Sequence, residues 1–245
     1  MGNGGELEHH SQKTIAIIPA AGAGVRMQRN LPKQFLDLDG RPVLVRTLEV
    51  FQACPAIDSI ILITPEQDVE YARKEIVHTY GLKKVEKVVA GGERRQDSVR
   101  LGLEACEGHD DLVLIHDGVR PLVPADLVVR VIDAARENRA VITALPAKDT
   151  VKEVDEKALV VKTYDRQKVW LVQTPQVFQY KDILTAHQRA LRENWEEITD
   201  DALLMEKAGI PVKVIVGSEE NIKVTTPRDM ELARFLLKGR TAKTQ

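Results

Sequence analysis

Six short apolar runs recur along the chain: "TIAIIPA", "SIILIT", "KVEKVVAGG", "DLVLIHD", "AVITALPA" and "VKVIVG". Between most of them lie stretches whose apolar residues repeat with helical period, at residues 43–51, 69–78, 99–105 and 127–135. A strand that is apolar at nearly every position must be covered on both faces, so strands alternating with helices imply a mostly parallel sheet inside two helical layers. The fold class is therefore α/β, in three layers. With 245 residues and 43% hydrophobic composition the chain can bury one substantial core. It reads as a polar, disordered tail over 1–13 followed by a single domain over 14–240.

Local signals place two helices in the C-terminal part. In "TTPRDMELARFLLKG" Thr226 stands where an N-cap belongs, Pro227 at the first helical position and Gly239 just beyond the end. In "TDDALLMEKAG" Thr199 is the expected cap, Asp200 and Asp201 complement the first turn, and Gly209 is the expected terminator. One segment, 148–170, breaks the alternation with two β-leaning runs, 151–154 and 159–163, separated by charged residues. It reads as a hairpin arm standing off the main sheet. A two-stranded arm is marginal alone in water, and this predicts a homodimer formed through it.

The formal net charge of −2, with both signs interspersed, gives no bulk electrostatic reason to expect nucleic acid or an anionic membrane as partner. Phosphate, if bound, must be bound locally. No apolar run approaches the roughly 20 residues of a membrane span, and the first thirteen residues lack the apolar centre of a signal peptide. Met1-Gly2 suggests myristoylation, but Glu6 stands where that motif requires Ser or Thr. Cys54 and Cys106 lack C-x-x-C spacing and form no disulfide framework, so a cytoplasmic home is expected.

In open α/β sheets ligands sit beyond the carboxyl ends of the strands, and four such places carry chemistry. The first is "AGAGVRMQRNLPK". It lacks the third glycine of a dinucleotide fingerprint, with Met27 in its place, and the G-K-[ST] ending of a Walker loop. Gly22 and Gly24 let backbone N–H groups approach phosphate oxygens, with Arg26 and Lys33 supplying charge, unless this is only a glycine turn between surface cations. The second, "GGERRQDSV", has Gly91 and Gly92 for close backbone approach and Ser98 in the next helical turn, where it either reaches a ligand or is simply a polar helix entry. In the third, "LVLIHDGVRP", Asp117 meets a metal or a ribose hydroxyl, or else caps a turn and pairs with Arg120. His116 beside it reads as structural rather than as a general base. In the fourth, "NIKVTTP", Lys223 is either solvated or a third cation for a phosphate site. There is no H-E-x-x-H pair, no G-x-S-x-G elbow and no usable Cys-His spacing.

Taken in order and spacing, "PAAGAGVRM…LPKQF", "GGERRQDSV", "HDGVRP", "DRQKVWLVQTPQVF", "TDDALLME" and "NIKVTTP" resemble the 2-C-methyl-D-erythritol 4-phosphate cytidylyltransferases of the non-mevalonate isoprenoid pathway. The likeness runs from about residue 14 to residue 237. It implies a Rossmann-like nucleotidyltransferase sheet whose arm exchanges across a homodimer, with CTP and a polyol phosphate as substrates and Mg²⁺ as cofactor. It implies that Ala20, Ala21 and Gly22, with Gly91, Gly92, Glu93 and Ser98, surround the cytidine end of CTP. Asp117 would lie near the ribose and the metal, Arg26 and Lys33 would stabilise the charged transition state, and Lys223 would position substrates. Arg120, Thr150, Thr174 and Arg166 would belong to the sugar-phosphate site, Arg166 acting from the neighbouring subunit's arm. Two departures stand out: Glu93 where the family often has Asp, and "HDGVR" for "HDAAR", for which only modest effects are expected. The same features are shared by cytidylyltransferases acting on ribitol 5-phosphate, the rival acceptor, while a noncatalytic nucleotide-binding module is the rival from another class. The acceptor phosphate, a monoester with a second pKa near 6, is already largely dianionic at neutral pH, so the reaction implied needs no general base.

Overall fold

The structure is a computed structural model, and it describes residues 12–22, 32–106, 111–196 and 198–242. Gln12 and Lys13, assigned to the tail, are tied to the domain: the Lys13 N–H donates to Asp111 Oδ1 at 3.1 Å and Gln12 Nε2 to Gln179 Oε1 at 2.9 Å.

The first half of the chain alternates as its pattern demands. β1 (Thr14–Pro19), α1 (Val43–Ala53), β2 (Ser59–Thr64), α2 (Val69–Tyr71, continued as a π-helical stretch through Ala72–His78), β3 (Val85–Ala90), α3 (Arg95–Glu104), β4 (Leu112–Ile115), α4 (Ala125–Glu137) and β5 (Ala140–Pro146) follow in turn. The chain then makes a hairpin of β6 (Lys152–Val154) and β7 (Val160–Thr163), returns as β8 (Trp170–Gln179), and closes with α5 (Tyr180–Arg192), α6 (Asp201–Lys207), β9 (Lys213–Val216) and α7 (Pro227–Ala242).

The main sheet has seven strands in the order β3-β2-β1-β4-β8-β5-β9. All neighbours pair parallel except β8, which runs antiparallel to both β4 and β5. The sequence pattern predicts six main strands, and β8 is the one it misses. Its middle reads Gln173-Thr174-Pro175-Gln176, too polar to register as a buried run, yet Gln176 is fully buried between β4 and β5. The β5 pairing jumps from Gln176 to Gln173 at this point, where Pro175 has no N–H to donate.

Alternation along each strand sorts its side chains into the two outer layers. Ala16 and Ile18 of β1 face the layer of α1, α2 and α4, packing with Leu48, Phe51, Ile76 and Val131. Ile15 and Ile17 face the layer of α3, α5 and α6, packing with Leu103, Phe178, Ile183 and Met205. A smaller cluster seats α7, through Met230 and Ala233, on Leu38, Val43 and Val224.

Helix ends depart from expectation in three places. The cap of α6 is Asp200, whose Oδ1 accepts from the Leu203 N–H at 3.2 Å, one residue later than the expected Thr199. A carboxylate is the stronger acceptor at that position. The helix predicted over 99–105 starts earlier, at Arg95. α7 runs through Gly239 to Ala242 rather than stopping there. Gly209 ends α6 with φ of +74°, whereas Gly239 stays out of the left-handed region, so it is only a weak spot inside a helix. At its other end α7 begins as expected, with Thr226 Oγ1 accepting from the Asp229 N–H and Asp229 Oδ2 accepting from the Thr226 N–H.

The arm forms as expected, with Lys152 opposite Thr163 and Glu153 opposite Lys162, and every residue of its two strands is exposed.

Phe51 is fully buried in the first layer and its ring lies 5.0 Å from that of His116. Phe51→Ala is expected to cost about 3–5 kcal/mol, read as a lower urea midpoint with an unchanged slope.

Candidate active site

From β1 the chain winds to β2 and β3 on one side, then crosses to β4 on the other, so β1 and β4 diverge at their carboxyl ends. A crevice at such a reversal is where open α/β sheets take ligands. A cavity opens there, lined by Ala20, Ala21 and Gly22 after β1, by Gly92, Glu93 and Ser98 after β3, and by Lys33, Asp117 and Lys223. The two glycines after β3 are required by space. A Cβ on Gly91 would stand 2.6 Å from that of Ala21 and 2.7 Å from Ser98 Oγ, and one on Gly92 would stand 2.5 Å from the Asp97 Cβ. Ser98 is buried, and its hydroxyl accepts from the Gly92 N–H at 3.2 Å, so it braces the turn at the cavity wall.

A second cavity adjoins the first. Arg120, Thr174, Gln176, Thr199 and Asp200 line it, and Arg95, Asp117 and Lys223 line both. These three side chains are the wall between two binding spaces.

Asp117 sits at the end of β4 with its side chain almost wholly buried. Lys223 Nζ lies 2.8 Å from its Oδ2, Arg95 Nε 3.2 Å from its Oδ1, and Arg120 Nε 3.5 Å from Oδ2. Burial alone would raise the pKa of this carboxyl, but Arg95, then Lys223 and Arg120, outweigh it and hold Asp117 far below the usual carboxylate range. Its backbone is fixed as firmly. The Asp117 N–H donates to Thr174 Oγ1 at 3.1 Å, and Thr174 Oγ1 lies 3.1 Å from His116 Nδ1. His116 Nε2 lies 3.2 Å from the Arg120 carbonyl oxygen. A carbonyl can only accept, so Nε2 carries the proton and Nδ1 accepts from the threonine hydroxyl. Every donor in the relay is used when the imidazole is neutral. Burial lowers the His116 pKa to about 4, which agrees with that neutral tautomer and leaves the ring no part as a base.

The structure brings most of the residues singled out from sequence to one place, but not all. Gly24 and Arg26 lie outside the described residues. Thr150 and Arg166 are exposed on the arm and line neither cavity, Arg166 instead donating to the Lys148 carbonyl oxygen at 3.0 Å. Thr174 lines the second cavity, but its hydroxyl proton is already given to His116 Nδ1 and one of its lone pairs to the Asp117 N–H. Sequence reading missed Arg95 and Gln34. Gln34 lines the first cavity, is 1% exposed, and has no hydrogen-bond partner on either amide atom among the described residues. Arg95 had a readable signal: a cation in the first turn of a helix opposes the macrodipole and calls for a specific anion to justify it.

A sequence model described as IspD, 2-C-methyl-D-erythritol 4-phosphate cytidylyltransferase, matches residues 14–239. A relative of that same description from Syntrophus aciditrophicus is 48% identical over 226 residues, covering 92% of this chain and 96% of the relative. Another from Alkaliphilus metalliredigens is 46% identical, covering 94% and 95%. Among solved structures, 4-diphosphocytidyl-2C-methyl-D-erythritol synthase from Anaerococcus prevotii superimposes with a TM-score of 0.81 at 37% identity, covering 93% of this chain and 96% of that one. The Thermus thermophilus 2-C-methyl-D-erythritol 4-phosphate cytidylyltransferase gives 0.74 at 33% identity, covering 91% and 98%.

The neutral His116 makes stability depend on pH. Unfolded histidine binds a proton near 6.5 and this one only near 4, so between those values the unfolded state holds more protons and stability falls as pH falls. The whole window is worth about 3 kcal/mol for one group. His116→Gln is expected to be less stable at pH 7 and to lose that part of the acid slope, measured by urea unfolding at a series of pH values.

Proposed function

The chain belongs to the 2-C-methyl-D-erythritol 4-phosphate cytidylyltransferase family, and from that premise we propose how its two cavities divide the reaction. The enzyme transfers CMP from CTP to 2-C-methyl-D-erythritol 4-phosphate, giving 4-diphosphocytidyl-2-C-methyl-D-erythritol and pyrophosphate. The family and the relatives named above carry the methylerythritol acceptor in their descriptions, and the ribitol 5-phosphate reading is set aside. The cavity between Ala20 and Ser98 takes CTP. The adjoining one, by Arg120 and Thr174, takes the acceptor. The observation that carries this division is the shared wall of Arg95, Asp117 and Lys223, which leaves two spaces meeting at one cluster of charge.

In the transfer an acceptor phosphate oxygen bonds to the α-phosphorus of CTP as the bond from that phosphorus to the bridging oxygen breaks, and pyrophosphate leaves with the electron pair. No proton has to move when the acceptor is a dianion, so no base is called for; His116 is sealed in its relay and Asp117 is held ionised by the cations around it. What the residues supply is positioning of two mutually repelling anions and neutralisation of the charge on the phosphoryl oxygens. Lys33 faces the CTP cavity and is suited to that neutralisation. Lys223 reaches both spaces from the Asn221–Val224 segment, which the Val224 N–H ties to the Val119 carbonyl oxygen at 2.8 Å. Arg26 is assigned the same neutralising role as Lys33 from its place in the sequence.

For Mg²⁺ the donor set is thin. Among the described residues no three His, Cys, Asp or Glu side chains cluster, and Asp117 already faces three cations. Asp117 would hold the ion as one ligand at most, with phosphate oxygens and water as the rest of the shell. A bound ion would supply further charge neutralisation.

The acceptor site of one chain lacks its arm residues, and a second copy accounts for that. Leu159, Val160 and Val161 on the arm are each about 60% exposed, and Leu171 and Val172 are exposed where β8 leaves it. An apolar surface on an otherwise marginal hairpin marks an interaction face. A homodimer formed by exchange of arms buries it and carries Thr150 and Arg166 to the partner's acceptor cavity. Both cysteines are free and buried, and no described helix is long and apolar enough to cross a membrane. The free thiols support a cytoplasmic location.

Pyrophosphate release is expected with CTP and 2-C-methyl-D-erythritol 4-phosphate and not with ribitol 5-phosphate; turnover of ribitol 5-phosphate alone would overturn the acceptor. Lys33→Ala is expected to lower kcat by about 100-fold, as removal of a preorganised charge donor does, and an unchanged kcat would remove its assigned role. Val161→Asp is expected to shift the light-scattering mass from two chains toward one and to raise the acceptor KM, while a wild-type mass of one chain would refute the dimer.

A further inference from the structure

The wall between the cavities is anchored from behind by a residue that touches neither. Arg95 Nη1 lies 2.8 Å from Asp201 Oδ2, and Asp201 is 1% exposed. The other oxygen of that carboxylate lies 3.2 Å from Nε2 of His187, which is fully buried on α5. Arg95 thus spans two carboxylates. Its Nε faces Asp117 in the site, and its Nη1 faces Asp201 in the protein interior.

We infer that Asp201 is a positioning residue for the transfer, holding Arg95 on Asp117 against the pull of the incoming phosphates. The inference rests on the assignment of the two cavities to CTP and the acceptor. The observations behind it concern which cations can move. Lys223 is 40% exposed on a long flexible stem and is able to turn from Asp117 to a phosphate oxygen. Arg120 is held by the Asn221 carbonyl oxygen, to which its Nη1 donates at 2.7 Å. If Arg95 also followed the phosphates, Asp117 would keep only the 3.5 Å contact to Arg120, too little compensation for an almost wholly buried carboxylate. Asp201 prevents this because Arg95 could leave it only by removing the cation from a second buried carboxylate, with the His187 ring as its remaining neighbour. A structural tie between α3 and α6 could be made as well by apolar packing, and commonly at less cost than by a buried ion pair. The pair occurs instead at Arg95, the one arginine among the described residues that lines both cavities.

The distinguishing consequence is a split between kcat and KM. Released from Asp201, Arg95 is drawn onto the triphosphate, so CTP binds as well or better, but in a geometry less fit for attack. The experiment uses the full chain with CTP and 2-C-methyl-D-erythritol 4-phosphate, comparing wild type with Asp201→Asn, Arg95→Gln and the double variant by steady-state pyrophosphate release. Asp201→Asn is expected to lose about 10- to 100-fold in kcat with the CTP KM unchanged or lowered. The double variant is expected to be no slower than Arg95→Gln, because Asp201 acts only through Arg95. Multiplying losses in the double variant would overturn the inference, as would a folded Asp201→Asn with wild-type kcat. Should Asp201→Asn not fold, Arg95→Gln decides alone: reduced kcat without a raised CTP KM supports the inference, and a raised CTP KM at unchanged kcat makes Arg95 a simple phosphate binder and overturns it. Wild-type protein without pyrophosphate release would instead count against the assignment of the cavities.

Discussion

A single carboxylate at the end of a buried strand organises this site. Asp117 is almost wholly out of water, and an ion so placed is tolerable only if the structure surrounds it with compensating charge. Each compensating group comes from a different part of the chain: Arg95 from the start of α3, Arg120 from the loop after β4, and Lys223 from the segment before α7. The requirement to neutralise one aspartate therefore pins three separate segments to one point. It also leaves the cluster with excess positive charge where two anionic substrates would have to meet. The same interactions that make Asp117 affordable make the site attractive to phosphate.

That cluster depends in turn on the one antiparallel strand. β8 inserts between β4 and β5 and brings Thr174 against the Asp117 backbone, while Gln173 and Asn221 tie the strand to the final loop. In a strictly parallel sheet the neighbour of β4 would carry its own carboxyl end to this edge and continue away from it. Running the other way, β8 begins here. Its first residues are both the base of the arm and a wall of the second cavity.

Much of this was legible from sequence because ligand loops follow apolar runs, so Gly22, Gly91, Gly92 and Asp117 stand where the pattern ends. The illegible parts share a cause. Thr174 and Gln176 are polar residues buried in β8 beside a half-buried Gln173, and a polar stretch flanking a proline reads as a loop until its partners are known. Arg95 and Asp201 lie 106 positions apart, and neither explains itself without the other. Gly239 was misread for a different reason: glycine stops a helix only by entering the left-handed region, and sequence does not record φ.

The position of the arm follows from the strand order. β5 and β8 are antiparallel neighbours, so the arm is in effect the long loop of a hairpin, and it must leave from the edge at which β5 ends. That is the active-site edge. Within one chain the arm contributes no residue to either cavity, Thr150 and Arg166 included. A device that leaves the rim of one site and exposes Leu159, Val160 and Val161 to water has apolar side chains to bury and polar residues to deliver. In the proposed dimer, two copies related by a twofold axis would answer both needs with a single surface, since an isologous contact would send each arm to the other's rim. The interface and the acceptor site would then be the same piece of structure, and the acceptor site would be complete only in the assembled pair.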